Sequence, residues 1–372
     1  MSGNHIYRTS LRTIPIRCSS HNLRCLHISA PKAAKILPIT AAGPPPLPPR
    51  PAASHYGEKV ERRRRQAELL KRGQEMKAEL KPGNAIKKRF WKDVSVKTEE
   101  DGTHTVHLDA RPVRSPPSKS VLPIPSSKLH LATAIALEWD LLASAQQALK
   151  QHLIPLTSMA SRAHDISLQD QGKAPGNARQ EIVQVLMRYL DTDTLLCWAP
   201  AKSHHDAMQL EESEHRKEES LRDIQIRTTQ PIVSYLTNYI WPGIEIQPVL
   251  DDGSIVPKSQ PQQTKDVIRG WISGLGAWEL AGLERAVLAG KSLCVGARLV
   301  VEWSENHADV RNAIPKEQWT PKFGIEEAAE ACSLELRWQT AMWGEVEDTH
   351  DVDREDVKRQ FGSVIMLVSG RN

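Results

Sequence analysis

Strand-like patterns occupy one short part of this 372-residue chain, and that placement limits the folds it can adopt. Two runs of alternating apolar and polar residues flank an Asp-Gly pair at 101–102, which is typical of a hairpin turn. Further strand candidates lie between prolines, which favour sheet edges and turns. The predicted strands cover 94–96, 106–108, 111–114 and 121–124, with one isolated candidate at 194–198.

Most of the remaining segments have apolar residues at helical spacing. Strands followed by helices, without βαβ alternation, indicate an α+β fold. We therefore predict an N-terminal antiparallel-sheet domain with helices, followed by an all-α orthogonal-bundle C-terminal domain. The predicted helices cover 127–149, 156–168, 177–189, 205–227, 231–239, 262–275, 277–289, 292–303 and 354–368, with one more that begins at Gly324.

The first 57 residues differ in charge from the rest. They carry seven of the 49 Lys and Arg residues and none of the 45 Asp and Glu residues, so 42 basic and 45 acidic residues remain elsewhere. That remainder shows no bias toward nucleic acid. An Arg- and Ser-rich, acid-free start predicts a mitochondrial transit peptide and a matrix location, the alternative being a generic basic tail.

Composition also predicts the domain boundaries. Residues 1–57 hold the transit peptide and a Pro-rich linker at 44–51. Residues 58–85 form a charged linker or helix, 86–227 the N-terminal α+β domain and 228–372 the C-terminal helical domain. No run of 18 apolar residues occurs, so no membrane-spanning helix is expected. The five cysteines form no CxxC pair, which fits reduced thiols.

Motifs for common enzyme chemistry are missing from the sequence. It contains no GxxxxGK[ST], GxGxxG after a strand, GxSxG or HExxH, so we predict no catalytic residue and no cofactor. One acidic cluster, from Glu345 to Asp353, has the oxygen ligands that Mg²⁺ or Mn²⁺ prefers. A metal-dependent hydrolase is therefore an alternative. Helix caps and surface charge explain such a cluster more simply, and we predict no metal.

Residues 324–353 are predicted to form one long helix followed by an acidic turn. Gly324 and the two glutamates after it suit a helix start. Glu335 falls on or beside the apolar stripe of this helix, and Gln339 lies one turn further on. A buried carboxylate is costly unless it is paired. The pattern alone favours a Glu335 paired inside the chain over a Glu335 kept for function.

Several sequence blocks resemble the mitochondrial ATP synthase F(1) assembly chaperones that attend the alpha subunit. The blocks keep their order and span about 86–370, essentially the whole folded body. Ala110 stands where the family usually has Gly, which leaves the turn after residue 108 in question. The blocks are RFWKDVSV (89–96), LDARPVRSP (108–116), AIALEWD (134–140), PLTSMASRAHD (155–165), YLDTDTLLCW (189–198), the LxxLExA…KSL pattern (280–293), LELRWQ (334–339) and WGEVEDTHDVD (343–353).

The resemblance implies a matrix chaperone that binds the unassembled alpha subunit, prevents its aggregation and yields it to the beta subunit. Such a protein is not an enzyme and uses no nucleotide, nucleic acid or membrane insertion. In this family a Glu in the penultimate helix is important, and Glu335 matches it, which reverses the interpretation drawn from pattern alone. The predicted partner-binding residues are Glu335, Gln339, Glu284, Trp343 and Glu345.

Overall fold

The structure is a computed structural model that describes residues 67–68, 71, 89–116, 118–200, 219–250, 256–313, 322–346 and 349–370. The predicted transit peptide and Pro-rich linker lie outside the described residues, as do nearly all of 58–85 and most of the helix predicted at 205–227. The division at 227 and 228 stays a prediction. None of the helices in the described ranges is long and apolar enough to cross a bilayer.

A small antiparallel sheet opens the described fold. Strands β1 (Val94–Thr98), β2 (His104–Leu108) and β3 (Arg111–Pro112) lie in the order β1-β2-β3. In the register, Val96 faces Val106, so the alternating apolar residues of both strands share one side. Gly102 takes a φ of 83° in the hairpin turn, a conformation that glycine adopts without strain. The predicted Asp-Gly hairpin is confirmed.

The turn between β2 and β3 depends on Asp109 rather than on Ala110. Asp109 adopts a φ of 53°, which Asp tolerates better than most residues. Its carboxylate accepts hydrogen bonds from the backbone N–H groups of Asp93 at 2.9 Å and Lys92 at 3.1 Å. These bonds lower the pKa of Asp109, the bond from Asp93 contributing most. The turn therefore forms without the glycine usual in the resembled family.

Eleven helices are described after the sheet, joined by short turns, and together with it they give the predicted α+β class. Helix α6 contacts α2, α7 and α11, so the central layer is formed around it. The helices are α1 (Leu129–Leu141), α2 (Pro155–Asp170), α3 (Ala178–Leu190), α4 (Leu221–Tyr235), α5 (Gln262–Gly274), α6 (Ala277–Gly290), α7 (Leu293–Trp303), α8 (Ala308–Asn312), α9 (Ile325–Cys332), α10 (Leu334–Trp343) and α11 (His350–Val368).

Three predicted elements differ from the structure. The strand predicted at 194–198 is a 3₁₀ turn, Thr194–Leu196, because the buried carboxylate of Asp193 accepts from Leu195 N at 3.0 Å and holds the turn. The helix predicted at 127–149 ends at Leu141 and continues as 3₁₀ turns. The helix predicted at 231–239 is not separate, because α4 runs through Pro231 and widens into a π turn, Leu236–Ile240.

Buried Lys128 joins the start of α1 to the end of α11. Its side chain is only 1% exposed. The ammonium group donates to the carbonyls of Val368 at 3.0 Å and Ser369 at 2.8 Å, and it pairs with Glu305 at 2.7 Å. Those carbonyls belong to the last turn of α11, where backbone acceptors lack partners within the helix. Lys128 thus donates hydrogen bonds to carbonyl groups at the end of a helix that lies about 240 residues later in the chain.

Helices α6 and α11 approach closely at Gly282. A Cβ at this position would lie 2.7 Å from Val368 Cγ1, closer than atoms pack without a shift. We expect Gly282→Val to lower the free energy of unfolding by about 1–3 kcal/mol through overpacking. Chemical denaturation should show this loss. Gly270→Val is the matched control, since no atom lies within 4 Å of a Cβ there, and equal stability of the two variants would refute the close approach.

Stability is expected to fall below about pH 6.5, because burial lowers the pKa of His164 and of His307. Between the lowered pKa and 6.5 the unfolded chain binds more protons than the folded one, so acid favours unfolding. His164→Gln retains a partner for Ser120 Oγ, 3.0 Å from His164 Nε2, and removes one titrating group. Melting temperatures between pH 5.5 and 7.5 should fall less steeply for this variant. Parallel curves would contradict the assignment.

Candidate functional site

The predicted long helix from Gly324 is two helices, α9 and α10, with a break at Ser333. The start is as predicted, since Glu327 Oε2 accepts from the backbone N–H of Gly324 at 3.0 Å. At the break, Ser333 Oγ donates to the carbonyl of Ala329 at 2.6 Å, which competes with the regular helical bonding. Helix α10 therefore begins with a new orientation after α9.

The break at Ser333 also separates a buried helix from an exposed one. Ala328 and Ala329 of α9 are buried, whereas α10 has no buried residue. Glu335, which its spacing placed on or beside the apolar stripe, is exposed to solvent. The spacing could not show this exposure, because it was counted across an interruption of the helix.

Helix α10 presents large apolar side chains to solvent although one of its sides contacts α4. Trp343 is 65% exposed, Met342 is 50% exposed, and Val346, just beyond the helix, is 57% exposed. Trp338 and Trp343 meet edge to face with their ring centroids 6.2 Å apart. Together these residues form an apolar patch on the surface.

Polar groups lie beside this patch on the same helix. Gln339 Nε2 donates to Glu335 Oε1 at 3.0 Å, so two of the predicted partner-binding residues are in contact. One turn of helix separates them, which is the spacing at which side chains meet. Glu335 lies in the first turn of α10, where a carboxylate suits the positive end of the helix dipole. We call Glu335, Trp338, Gln339, Met342, Trp343 and Val346 the α10 surface.

The acidic segment after α10 is tied back to α11. Glu345 accepts from Arg354 Nη2 at 3.0 Å, and His350 Nδ1 accepts from the backbone N–H of Val346 at 3.2 Å. Glu347 and Asp348 of the acidic cluster lie outside the described residues. Within the described part of the chain, no three His, Cys, Asp or Glu side chains are arranged to hold a metal ion. Glu345 is thus close in sequence to the α10 surface and is held by an ion pair.

Glu284, the fifth predicted partner-binding residue, lies on α6 and has a partner inside the chain. Arg162 of α2 donates to its two carboxylate oxygens, from Nε and from Nη2, both at 3.0 Å. The carboxylate raises the pKa of Arg162 through these bonds. The paired side chains of Arg162 and Glu284 link α2 to α6. A role for Glu284 in partner binding stays a prediction.

An exposed apolar patch beside an unburied carboxylate is suited to binding another protein. Trp residues contribute strongly to protein interfaces, and a polar rim supplies specificity. A helix of ten residues with no buried side chain is also marginal in water by itself, so a partner that covered it would stabilise it. Met342 and Val346 were not predicted as binding residues, and only their closeness to Trp343 in sequence could have suggested them.

Comparison with known proteins identifies the family. The family model described as ATP12 chaperone protein matches residues 88–237. Protein atp12 of Schizosaccharomyces pombe is 31% identical over 280 residues, which is 75% of this chain and 81% of that protein. Protein ATP12 of Saccharomyces cerevisiae is 32% identical over 285 residues, covering 73% and 81%. Both relatives are named mitochondrial.

A solved structure shares the fold. The Atu1473 protein of Agrobacterium tumefaciens aligns with a TM-score of 0.52 at 21% identity, covering 76% of this chain and 86% of that one. The similarity to the two yeast proteins extends over most of their length. The chain therefore belongs to the ATP12 chaperone family, the mitochondrial ATP synthase assembly chaperones that its sequence blocks resemble.

Proposed function

We propose that this protein is a matrix chaperone that binds the unassembled alpha subunit of the ATP synthase F(1) head and yields it to the beta subunit. It acts by covering a surface rather than by catalysis, and it needs no nucleotide, metal or cofactor. The transit-like composition of residues 1–57 supports import into the matrix. We propose the α10 surface as the part that contacts the client.

The observation that carries this proposal is the state of α10. The helix buries none of its own residues, yet it holds Trp343 and Met342 beside a hydrogen-bonded pair of polar side chains. Apolar patches with polar rims on a single chain mark sites of protein interaction. A free subunit of a multi-subunit enzyme exposes apolar contact faces that would otherwise self-associate. The α10 surface has the chemistry to cover such a face.

Release by competition fits this surface. The polar groups set which partner binds, whereas the exposed apolar side chains supply most of the gain from desolvation. A beta subunit that buries more of the alpha subunit than the α10 surface does would displace the chaperone. Transfer then proceeds without an external energy source.

Suppression of aggregation tests the proposal directly. Purified alpha subunit diluted from denaturant should stay in solution in the presence of the full chain and should scatter light without it. Added beta subunit should remove the alpha subunit from the chaperone, which size-exclusion chromatography can follow. An alpha subunit that aggregates at the same rate with and without an equimolar amount of the protein would refute the proposal.

A further inference from the structure

A polar cleft lies beside α11. It is formed by α2, α6, α11 and the 3₁₀ turn Gln151–Leu153, and its volume is about 460 Å³. Clefts of this volume in proteins bind small molecules or short segments of a peptide. Asp356, Arg359 and Ser363 line it from one face of α11. No assigned activity accounts for this cleft.

The charges in the cleft favour an acidic ligand. Arg359 is engaged, since it pairs with Asp356 at 2.5 Å and donates to the carbonyl of His152 at 2.6 Å. Asp356 also accepts from Gln360 at 2.6 Å. Half-buried Arg285 lines the cleft from α6 and interacts electrostatically with Asp356, but within the described residues it forms no hydrogen bond or ion pair. Its guanidinium group therefore has several donors available to a carboxylate.

Apolar side chains lie next to the cleft. Leu149 is 80% exposed and Leu153 is 37% exposed, and they flank the lining residue Gln151 in the chain. On α11, Val352 is 55% exposed and lies one turn before Asp356, on the same face of the helix. A ligand that places a carboxylate against Arg285 would meet leucine or valine on either side. The complementary chemistry is a peptide in which acidic and apolar residues alternate.

The α10 surface comes shortly before the cleft residues of α11 in the chain. Val352 follows Val346 by six positions, and Arg354 is joined to Glu345 by an ion pair. This link and the positive charge of Arg285 together favour one client segment as the occupant over a separate small molecule.

We infer that the cleft between α2, α6 and α11 binds an extended acidic and apolar segment of the client protein, with a carboxylate of that segment held by Arg285. The identity of the client rests on the proposed function. The inference adds a second contact, which selects a client by the sequence of an unfolded or extended segment. Such a contact is polar and directional, unlike the apolar patch on α10.

A fluorescein-labelled heptapeptide of alternating Leu and Glu is the probe, measured by fluorescence polarisation with the full chain. We expect the peptide to bind the wild type, and we expect Arg285→Gln to weaken binding at least tenfold because the unengaged guanidinium is lost. Leu149→Ser should weaken it several-fold. The matched control is Arg269→Gln on α5, whose exposed side chain pairs with Asp266 at 3.5 Å away from the cleft. A peptide with Lys in place of Glu should not bind.

Several results would overturn the inference. Equal affinity of the wild type and Arg285→Gln for the acidic peptide would do so, and so would displacement of the peptide by millimolar inorganic phosphate, which indicates a simple anion site. Arg285→Gln is expected to unfold with a normal transition, since Asp356 keeps its pair with Arg359. A loss of that transition would show that Arg285 is structural and would also refute the inference.

Capture of the alpha subunit separates this inference from the proposed function. If the wild type captures the alpha subunit and Arg285→Gln captures it less well, both stand. If the two capture it equally, the cleft is not a client site although the proposed function holds. If neither captures it while the acidic peptide still depends on Arg285, the proposed client is wrong and the cleft retains its ligand chemistry.

Discussion

Glu335→Gln is expected to weaken capture of the alpha subunit by at least about 30-fold while the protein itself still folds. In the free protein Glu335 is exposed, and its only described hydrogen bond is from Gln339. Losing its charge there costs only a few tenths of a kcal/mol, from the helix dipole and a surface contact. In the complex the same group becomes desolvated. Loss of a charge-assisted hydrogen bond at an interface costs about 2–5 kcal/mol, and about 1.4 kcal/mol corresponds to tenfold in affinity.

The measurement pairs a thermal melt with a pull-down of unassembled alpha subunit. Glu181→Gln is a suitable control, because it removes an exposed glutamate from α3, at a distance in sequence from the proposed surface. Glu327 is a poorer control, since it bonds to Gly324 and its change would loosen the start of α9. A Glu335→Gln protein that melts normally and captures the alpha subunit at wild-type strength would remove Glu335 from the interface.

Lys128→Met is expected to lower the free energy of unfolding by about 3–5 kcal/mol, the largest stability change among the substitutions considered. The variant leaves the Glu305 carboxylate and the carbonyls of Val368 and Ser369 without the ammonium group that now satisfies them. Breaking one side of a buried ion pair has a cost of this size. Since one kcal/mol shifts the melting temperature by roughly 2–4 °C in a chain of this class, we expect a drop of about 10 °C.

Two companion variants show whether the ion pair is the reason. Lys150→Met changes an exposed lysine and should leave the melting temperature within a degree or two of the wild type. Combining Lys128→Met with Glu305→Gln should recover part of the loss, because the second change removes the unpaired carboxylate. A double variant whose loss of stability equals the sum of the two single losses would show that Lys128 acts mainly through the carbonyls of α11.

The sequence predicted the structure correctly where residues close together in the chain decide the local conformation. The Asp-Gly hairpin and the helix ends near 274 and 290 follow from local conformational preferences. The next helix begins after Ser292, whose hydroxyl accepts from Val295 N at 3.0 Å, and Lys291 takes a left-handed turn before it at a φ of 55°. Such features need no knowledge of distant residues.

The errors arose where a distant group or a local interruption decides the outcome. The segment at 194–198 has strand-like composition, but Asp193 bonds to Cys294 N at 2.9 Å, about 100 residues away, and fixes a turn instead. An Asp directly before the turn is a known local signal and could have been weighed more heavily. At Ser333 the pattern of apolar residues continues although the helix does not, so the prediction of one long helix was wrong.

The candidate site shows the same limit. Family resemblance selected Glu335, Gln339 and Trp343, and the structure places the three on one short helix. Periodicity could not show that this helix is exposed, because exposure depends on what packs against it. Arg285 has no distinguishing sequence signal, and only the cleft around it and its lack of a described hydrogen bond make it notable.

The packing of α11 against α6 has a consequence for the order in which the protein matures. A polypeptide threaded into an organelle from its amino end delivers α2 and α6 before α11, which covers a large part of α6. Until α11 is present, the apolar face of α6 that packs against it is exposed to solvent. Lys128 also lacks the α11 carbonyl groups to which it donates. A partly imported chain is therefore itself prone to aggregation. A chaperone of other imported proteins therefore needs protection from aggregation until its own C-terminal helix has been imported.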